Sequence, residues 1–510
     1  MKRREFIRQA GALGACGVGG ACGVGGVGLT PSALAAPSPD SKDDFFSGIQ
    51  IGPHSLLDEG IEACLDRLQE TAAINTLLCY SHTYHLGYSR PPGVMAEDHG
   101  VEVKDIRRRK LPRVWVKHDP KRFRDSVIRH QQLNPSYEYH DEDLFADLLD
   151  AAGRRGMKVH ARILEAGMRR RRYLPGYEQV AAIDLDGQPS HGPCWNHPAY
   201  RQWLELTVEE MMQRYPLDGL QYGAERVGAL SETLFRGLKP SCFCSYCTRR
   251  NAAKGIDVER AKLGYRKLYE LVQRLEAGEG GPSDGVLVGV LRIMIDYPEI
   301  LSWYREWLQS DLEIGRMLSG VVKRVRPTAK FGAHVDHQRS SWDVFYRAAV
   351  DYEELASFSD YVKPILYHDI LGPRLRWWVV ERMQGRVAKD FSLEQTLTGL
   401  YQILGHNPDE QPTLAQLSEQ GLTPEYAYRE TQRCVEGVDG KAKVYSGIGM
   451  DVPWHLPEGG MAAFPSDPDV LYESCIRAIE AGADGLVASR EYDEMRLPSL
   501  KAFGRAVRSV

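Results

Sequence analysis

The sequence predicts a (β/α)8 TIM barrel with long insertions in its βα loops. Eight short apolar runs end in polar residues, and longer amphipathic stretches separate them along the chain. Strands that alternate with helices are typical of a parallel sheet, and eight such units close a barrel. The chain has 510 residues, of which 43% are hydrophobic and 26% charged. This composition supports a large core and excludes disordered, collagen-like and small disulfide-scaffold proteins.

We expect the eight strands at 48–54, 75–82, 158–165, 218–225, 330–337, 361–369, 442–451 and 484–491. Helical apolar periodicity lies between them, at 57–71, 142–153, 200–215, 300–325, 471–481 and 497–507. Three connections are too long to be plain helices, at about 86–157, 226–329 and 370–440. Loops of that size on the catalytic face of a barrel are expected to build a substrate cleft.

Residues 1–36 are predicted to be an export signal ahead of a barrel domain at 37–510. The segment begins MKRREF, continues with an apolar stretch diluted by glycine, and ends in small residues of the Ala-x-Ala type. The arginine pair followed by Glu and Phe resembles the twin-arginine export signal. That resemblance implies a contact with the twin-arginine export machinery and a periplasmic or extracellular location. No membrane span is expected after processing.

The charge of the chain favours no nucleic-acid partner. The formal net charge is −5, and loss of four basic residues and one acidic residue with the signal leaves −8. Basic runs occur at 107–109 and at 169–172. We interpret both as solvated loop surface rather than as phosphate-binding patches.

Four of the ten cysteines are grouped in a way that predicts structural zinc. Cys242, Cys244 and Cys247 lie within six residues of one another, and Cys194 lies upstream. Thiols at this spacing can surround one tetrahedral ion, and four thiolates form a closed structural site. Disulfides in an oxidising compartment are the alternative, although a Cys-x-Cys pair is hard to bridge to itself. We expect no organic cofactor.

Polar or ionisable side chains end every predicted strand, and barrel enzymes carry their chemistry at those ends. Aromatic residues lie near the same ends. Aromatic faces beside carboxylates and histidines suit sugar rings, which present apolar C–H faces and hydroxyl edges. We therefore expect an oligo- or polysaccharide to be bound by His54, His82, Tyr222, His334, Asp336, Asp369, Trp454 and Glu491.

Residues 192–250 combine three motifs. A cysteine precedes an Asn-x-Pro-x-Tyr-Arg helix start, the fourth strand ends in Glu, and Cys-x-Cys-x-x-Cys follows. This combination resembles glycoside hydrolase family 42, the β-galactosidases, and the wider set of family-10-like glycosyl hydrolases. The resemblance covers about 60 of the 510 residues. It implies that the four grouped cysteines hold zinc and that Glu225 is the general acid/base.

The chain departs from that family at two positions. The family places Asn before the acid/base, where this chain has Ala224, and it expects a Glu nucleophile at the end of strand seven, where this chain has Asp451. An aspartate is one methylene shorter, and retaining chemistry needs carboxyl groups about 5–5.5 Å apart. The β-galactosidase activity is therefore not carried over, and the sugar specificity stays open.

The predicted function is an exported glycoside hydrolase that uses two carboxylates. Glu225, with a raised pKa, would protonate the leaving oxygen, and Asp451 would attack the anomeric carbon or activate water. Asp369 and Glu491 are the reserve candidates for the second carboxylate. Non-catalytic roles are the alternatives. Glu225 would then be a surface carboxylate or an ion-pair partner of Arg226, and Asp451 would cap a loop.

Two other functional classes stay open. One is a metal-dependent barrel enzyme, such as a sugar isomerase or deacetylase, that uses His334, Asp336, His337 and His368 with Glu225. The other is a carbohydrate-binding barrel that keeps the cleft without catalysis. A metal count of two ions would favour the first, and glycan binding without turnover would favour the second.

Overall fold

Eight parallel strands close a barrel in the order in which they follow along the chain. The computed structural model describes residues 45–83, 97–100, 114–130, 142–166, 174–455 and 461–510. The strands are β1 (Phe46–Ile51), β2 (Thr76–His82), β3 (Lys158–Ala166), β4 (Gly219–Glu225), β5 (Lys330–Val335), β6 (Tyr361–Leu366), β7 (Lys443–Gly449) and β8 (Gly485–Ser489). Strand β1 pairs in parallel with both β2 and β8, which closes the sheet. The predicted TIM barrel is confirmed.

Helices cover the outside of the barrel and fill the long connections. They are α1 (Pro53–Glu59), α2 (Ile61–Ala72), α3 (Leu144–Arg154), α4 (Pro198–Arg214), α5 (Ala229–Arg236), α6 (Ser245–Ala253), α7 (Val258–Glu276), α8 (Val286–Asp296), α9 (Glu299–Val325), α10 (His337–Ser341), α11 (Val344–Ala348), α12 (Tyr352–Ala356), α13 (Leu371–Trp377), α14 (Leu393–Ile403), α15 (Pro424–Val438), α16 (Pro468–Glu480) and α17 (Leu497–Arg508). Five of the six predicted helical patterns each correspond to one of them. The segment predicted as one helix at 57–71 is broken at Gly60, whose φ is 86°, so α1 and α2 are separate.

Five of the predicted strands run past the true strand end. His54, His337, Asp369, Asp451 and Glu491 all follow the last strand residue and belong to helix starts or loops. Asp369 and Asp451 accept hydrogen bonds from loop backbone N–H groups, and His54 and His337 already belong to the helices that follow their strands. The polar groups are still delivered to the C-terminal end of the barrel.

A polar layer crosses the interior of the barrel beneath that end. It is formed by Gln50, Arg162, Gln221, Lys363 and Ser489, which come from five different strands and are all buried. Ser489 Oγ donates to Gln50 Oε1 at 2.8 Å, and Arg162 donates to Gln221 Oε1. The interior of such a barrel is usually filled by apolar side chains. This layer instead places the basic side chains of Arg162 and Lys363 under the mouth of the barrel.

The proposed signal at 1–36 and the basic runs at 107–109 and 169–172 lie outside the described residues. Within the part of the chain that the structure describes, no helix combines the length and apolar character that a membrane span needs.

Candidate active site

Glu225, the last residue of β4, presents its carboxylate at the mouth of the barrel. Its side chain is 41% exposed, and Oε1 lies 3.6 Å from Nε2 of the fully buried His334 on β5. The His334 ring packs on Gly223, where a Cβ would come within 2.6 Å of its Cδ2. Burial lowers the pKa of His334 well below its usual value, and Arg162 lowers it further. Arg162 donates to Nδ1 at 3.5 Å, so the neutral ring presents an Nε2–H group to Glu225.

Arg226 turns away from Glu225 and pairs with Glu165 at the end of β3. The Glu165 side chain is completely buried, and it also accepts from Trp195 Nε1 at 3.2 Å and from the hydroxyl of Tyr222. This network excludes the alternative in which Arg226 neutralises Glu225. Tyr222, which we expected to bind substrate, donates its hydroxyl to the buried carboxylate of Glu165 in this network.

Asp451 is held in the loop after β7 by hydrogen bonds to both of its carboxylate oxygens. Oδ1 accepts from Ser466 N at 3.0 Å and from Arg496 Nε at 3.2 Å, and Oδ2 accepts from Arg496 N at 2.8 Å. The residue is buried, with φ of 51°. A nucleophile needs a lone pair aimed at substrate, so this geometry favours the loop-holding alternative for Asp451.

Asp369 joins the same loop network. It accepts from the hydroxyl of Ser466 and, at 2.6 Å, from the backbone N–H of Ile370. Burial raises the pKa of Asp369 above its usual value. Both oxygens are therefore used inside the protein, as in Asp451.

Glu491, just after β8, is the candidate carboxylate with an oxygen to spare. It is 4% exposed, and its Oε2 has no hydrogen-bond partner among the described residues. Burial raises the pKa of the Tyr80 hydroxyl; the charges of Glu491 and Glu225 both add to that rise, and Arg162 opposes it. The charges of both carboxylates thus act on Tyr80 of β2, and both residues lie at or just after the C-terminal ends of barrel strands.

Three basic side chains, the buried Arg162 and Lys363 and the partly exposed Arg374, lie under or beside this mouth. Arg162, Lys363 and Arg374 form no ion pair with any carboxylate in the described ranges. Burial lowers the pKa of Lys363 well below its usual value, Arg162 lowers it further, and Glu225 opposes that shift. Burial also lowers the pKa of Arg374, to about 10. These basic groups therefore lack a directly paired carboxylate among the described residues, although Glu225 influences Lys363 and Arg374.

Asp336 and His337, at the end of β5, leave polar atoms unused. Asp336 caps α10 by accepting from Gln338 N at 2.7 Å, while its Oδ2 has no hydrogen-bond partner among the described residues. Burial raises the pKa of Asp336 to about 7, and Glu225 adds to the rise. Neither ring nitrogen of His337 has a partner in the same residues. Buried unsatisfied groups of this kind are often completed by a ligand or water.

The remaining predicted sugar ligands have partners within the protein. His54 lies on α1, where Nε2 is 3.2 Å from Asp493 Oδ2. The buried ring of His82 faces His118, at 3.1 Å between the two Nε2 atoms. Trp454 packs on an apolar cluster that includes Tyr367 and Val452.

Two concavities adjoin the site. A cleft of about 880 Å³ is lined by His368, Asp369 and the 408–424 segment, which belongs to the predicted 370–440 insertion. A cavity of about 100 Å³ is lined by Glu225 and by Glu232 on α5, among others. Burial raises the pKa of Glu232 to about 7, against the influence of Arg236 and Arg226.

The four grouped cysteines converge beside the small cavity, which Cys194, Cys242 and Cys247 help to line. Cys194 Sγ lies 3.5 Å from Cys247 Sγ and 3.4 Å from Cys244 Sγ, and Cys242 completes a group whose sulfur atoms lie within 4.8 Å of one another. These separations are far longer than the roughly 2.05 Å of a disulfide bond. They suit sulfur atoms that share one ion at about 2.3 Å. Four thiols in this arrangement leave no open coordination position, which fits a structural metal rather than a catalytic one.

No second ligand group forms at the mouth. Among the described residues, only the cysteines and a histidine trio (His82, His118 and His130) bring three or more potential metal ligands together. His334, Asp336, His337 and His368 therefore lack the convergence that a metal-dependent isomerase or deacetylase would need.

The barrel resembles solved structures in fold. The chain matches α-L-fucosidase isoenzyme 2 from Paenibacillus thiaminolyticus with 12% identity and a TM-score of 0.44, covering 91% of this chain and 49% of that one. It matches a β-galactosidase from the psychrophilic Marinomonas ef1 with 10% identity and a TM-score of 0.44, covering 91% and 59%. It matches the catalytic domain of β-amylase from Paenibacillus polymyxa with 10% identity and a TM-score of 0.47, covering 92% and 98%. No protein-family model matches the chain, and neither does any curated protein sequence.

Sequence reasoning missed the buried cations and Glu232. Arg162 and Lys363 each interrupt an apolar strand run, and a charged residue at an inward-facing position was the available signal. Glu232 carried no such signal, because it lies on the apolar-periodic helix α5 within a long insertion.

Proposed function

We propose that this protein is a glycoside hydrolase in which Glu225 is the general acid/base. The supporting observation is the placement of Glu225 at the C-terminal end of β4, partly exposed and facing a neutral buried imidazole. Glu165, on the neighbouring strand β3, is the other glutamate at this point of the barrel, and its carboxylate is already paired with Arg226. Glu225 also occupies the position that the resemblance to glycoside hydrolase family 42 implies for the acid/base.

Glu491 is our candidate for the second carboxylate, in place of Asp451. Its spare oxygen and its shared influence with Glu225 on Tyr80 support this choice. Asp451 and Asp369 use their oxygens to hold the loops around Ser466. The site thus keeps a two-carboxylate arrangement, with the second member after strand eight instead of strand seven.

In this mechanism Glu225 donates a proton to the oxygen of the leaving sugar. As the glycosidic bond breaks, Glu491 either attacks the anomeric carbon or removes a proton from the water that attacks it, depending on the distance between the two carboxyl groups. In the first case a second step follows, in which Glu225 removes a proton from a water molecule that displaces Glu491 and releases the sugar. Nε2–H of His334 is directed toward Glu225 and stabilises it as a carboxylate after the proton has left.

The substrate class that the charges favour is a glycan with acidic groups, such as uronic acids or sulfated sugars. Arg162, Lys363 and Arg374 make no ion pair in the described residues, although the charge of Glu225 acts on the last two, and buried cations without a directly paired negative charge are costly. A sugar carboxylate or sulfate would supply that charge. Neutral glycans have no group that could do so.

We further propose that Cys194, Cys242, Cys244 and Cys247 bind structural zinc. The ion would join the Pro189–Pro193 strand to the start of α6 and so brace the wall of the cavity that Glu225 lines. Export by the twin-arginine route, with a periplasmic or extracellular location, remains our expectation for the intact protein. A chain that carries its metal already when it is exported suits that route.

The proposal is tested by turnover of neutral and uronic-acid aryl glycosides, both α and β, by wild type, Glu225→Gln, Glu491→Gln and Asp451→Asn. Loss of an acid/base or nucleophile is expected to lower kcat at least about a hundredfold. Asp469→Asn, which changes a carboxylate that is 94% exposed, is the matched control and should keep full activity.

Each result has a separate reading. Loss in Glu225→Gln and Glu491→Gln, with most activity retained in Asp451→Asn, supports the assignment. Loss in Glu225→Gln and Asp451→Asn, with full activity in Glu491→Gln, returns the second role to Asp451. If wild type binds glycans but turns none of them over, the protein is a carbohydrate-binding barrel and the proposed catalysis is wrong.

A further inference from the structure

Three histidines converge between the end of β2 and helix α4. His82 ends β2, whereas His118 and His130 lie in the described segment 114–130. His82 Nε2 and His118 Nε2 are 3.1 Å apart, and one ligand nitrogen from each of the three rings lies within 4.8 Å of the others. The His118 and His130 rings are stacked, with centroids 4.2 Å apart.

A carboxylate on α4 orients the central ring. His118 Nδ1 is 2.7 Å from Glu210 Oε2, and the other oxygen of Glu210 accepts from the backbone N–H of Asp119 at 2.6 Å. A carboxylate can only accept, so Nδ1 carries a hydrogen, and in the neutral ring the lone pair then lies on Nε2, which faces His82. A carboxylate that fixes the far nitrogen of an imidazole is the usual outer partner of a metal-bound histidine.

His99 shows what a purely structural buried histidine does in the same protein. Its Nδ1 is 2.8 Å from Glu59 Oε1, and its Nε2 is 2.7 Å from the carbonyl oxygen of Met495. Both nitrogens of His99 therefore face oxygen atoms. In His118 the second nitrogen faces another imidazole nitrogen, with a third imidazole stacked alongside.

The spacing suits a shared cation. Two nitrogens 3.1 Å apart subtend about 100° at a metal that is about 2.0–2.1 Å from each. His130 Nε2 lies 3.3 Å from the hydroxyl oxygen of Thr207 on α4, a contact that the ring gives up when it turns toward the other two. Phe123 and Trp203 pack on His130, with ring centroids at 4.6 and 5.3 Å, and shield the cluster.

We propose that His82, His118 and His130 bind a divalent transition metal, with Glu210 as the outer partner of His118. An all-imidazole set favours zinc, copper or nickel over calcium and magnesium, which prefer oxygen. His130 completes the set by rotating its ring from the stacked position toward the His82–His118 pair. The ion fastens the 114–130 segment to β2 and α4, and it is separate from the thiolate site and from glycoside hydrolysis.

The test measures zinc in tag-free protein that has been purified, stripped with a chelator and dialysed against excess zinc. Loss of one bound zinc per chain is expected in His118→Ala relative to wild type, and loss of a different ion in Cys244→Ser. His99→Ala is the matched control, since it removes a buried histidine with its own glutamate partner and should retain the wild-type zinc content.

Cobalt substitution in Cys244→Ser gives a second readout. Visible bands of nitrogen-bound cobalt without thiolate charge transfer are expected, and they should vanish when His118→Ala is added. If His118→Ala does not fold, Glu210→Gln decides the matter, because loss of the outer carboxylate should weaken zinc binding about 10–100-fold. Equal zinc content and equal affinity in wild type, His118→Ala and Glu210→Gln would overturn the proposal.

Discussion

Replacing Arg226 by methionine would leave the carboxylate of Glu165 buried without its counter-charge. The Glu165 side chain is fully buried, the Arg226 side chain is 10% exposed, and the guanidinium lies 4.3 Å from the centre of the Trp195 ring. Breaking a buried ion pair from one side costs about 3–5 kcal/mol, because an uncompensated charge stays behind. Methionine keeps part of the contact with Trp195, so we expect the free energy of unfolding of Arg226→Met to fall by about that amount.

A double-mutant cycle separates the ion pair from the packing. Glu165→Gln also destabilises the protein, since it leaves the guanidinium buried opposite a neutral amide. The double variant has no buried charge, and the amide can still accept from the hydroxyl of Tyr222. We therefore expect the two single effects to exceed the effect of the double variant by about 1–3 kcal/mol.

The assay is urea unfolding at pH 7, followed by tryptophan fluorescence, with each free energy taken from the linear dependence on urea. Arg154→Met is the control, because Arg154 pairs with Glu62 on the surface, where both side chains are more than half exposed. Its unfolding midpoint should match that of wild type. Single effects at positions 165 and 226 that simply add within about 0.5 kcal/mol would refute the buried-pair reasoning.

Three further predictions concern pH, metal and packing. Burial lowers the pKa of His160 to about 4, below its value of about 6.5 in the unfolded chain. The stability that neutral His160 contributes to the folded state is therefore complete above pH 6.5 and is lost as the pH falls toward 4. Between pH 7 and 5 this loss is about 2 kcal/mol; urea unfolding of His160→Asn should show a correspondingly smaller loss, and equal losses would contradict the assignment. Cys244→Ser should lower the melting temperature measured by circular dichroism and abolish its response to a thiol-competing chelator; an unchanged response would argue against thiolate-bound zinc. Gly223→Ala places a Cβ 2.6 Å from the His334 ring, so it should destabilise the protein by about 1–3 kcal/mol and alter the pH–rate profile; a wild-type midpoint and profile would show that the ring does not need this space.

The positions of the barrel strands were predictable because each strand depends on a pattern of residues that are neighbours in the sequence. Apolar runs of four to eight residues with polar ends predict buried parallel strands wherever the chain has them, and all eight were found. The strand ends were less predictable. In the sequence, Asp369 and Asp451 look like the last residues of the apolar runs that predict β6 and β7. In the structure both lie beyond the strands and bond to Ser466, which is remote in sequence from Asp369.

The candidate site was predictable in part for the same reason. Glu225 ends a clear strand and is followed by the cysteine motif, so its placement at the barrel mouth follows from the sequence. The choice between Asp451 and Glu491 does not, because it depends on which carboxylate has its oxygens occupied by distant donors such as Arg496. The pairing of Arg226 with Glu165 instead of its neighbour Glu225 is likewise a matter of side-chain direction at the ends of two adjacent strands.

The sequence by itself determined the barrel, the order of its strands and the grouping of the four cysteines, since periodicity and short spacing are properties of neighbouring residues. Only the tertiary structure decided which ionisable groups share an environment. Lys363 and Ser489 are bonded across the barrel, and His82 meets His118 and His130 through a segment that returns to β2. Charge, burial and hydrogen bonding at these places depend on residues far apart along the chain, and the fold brings those residues together.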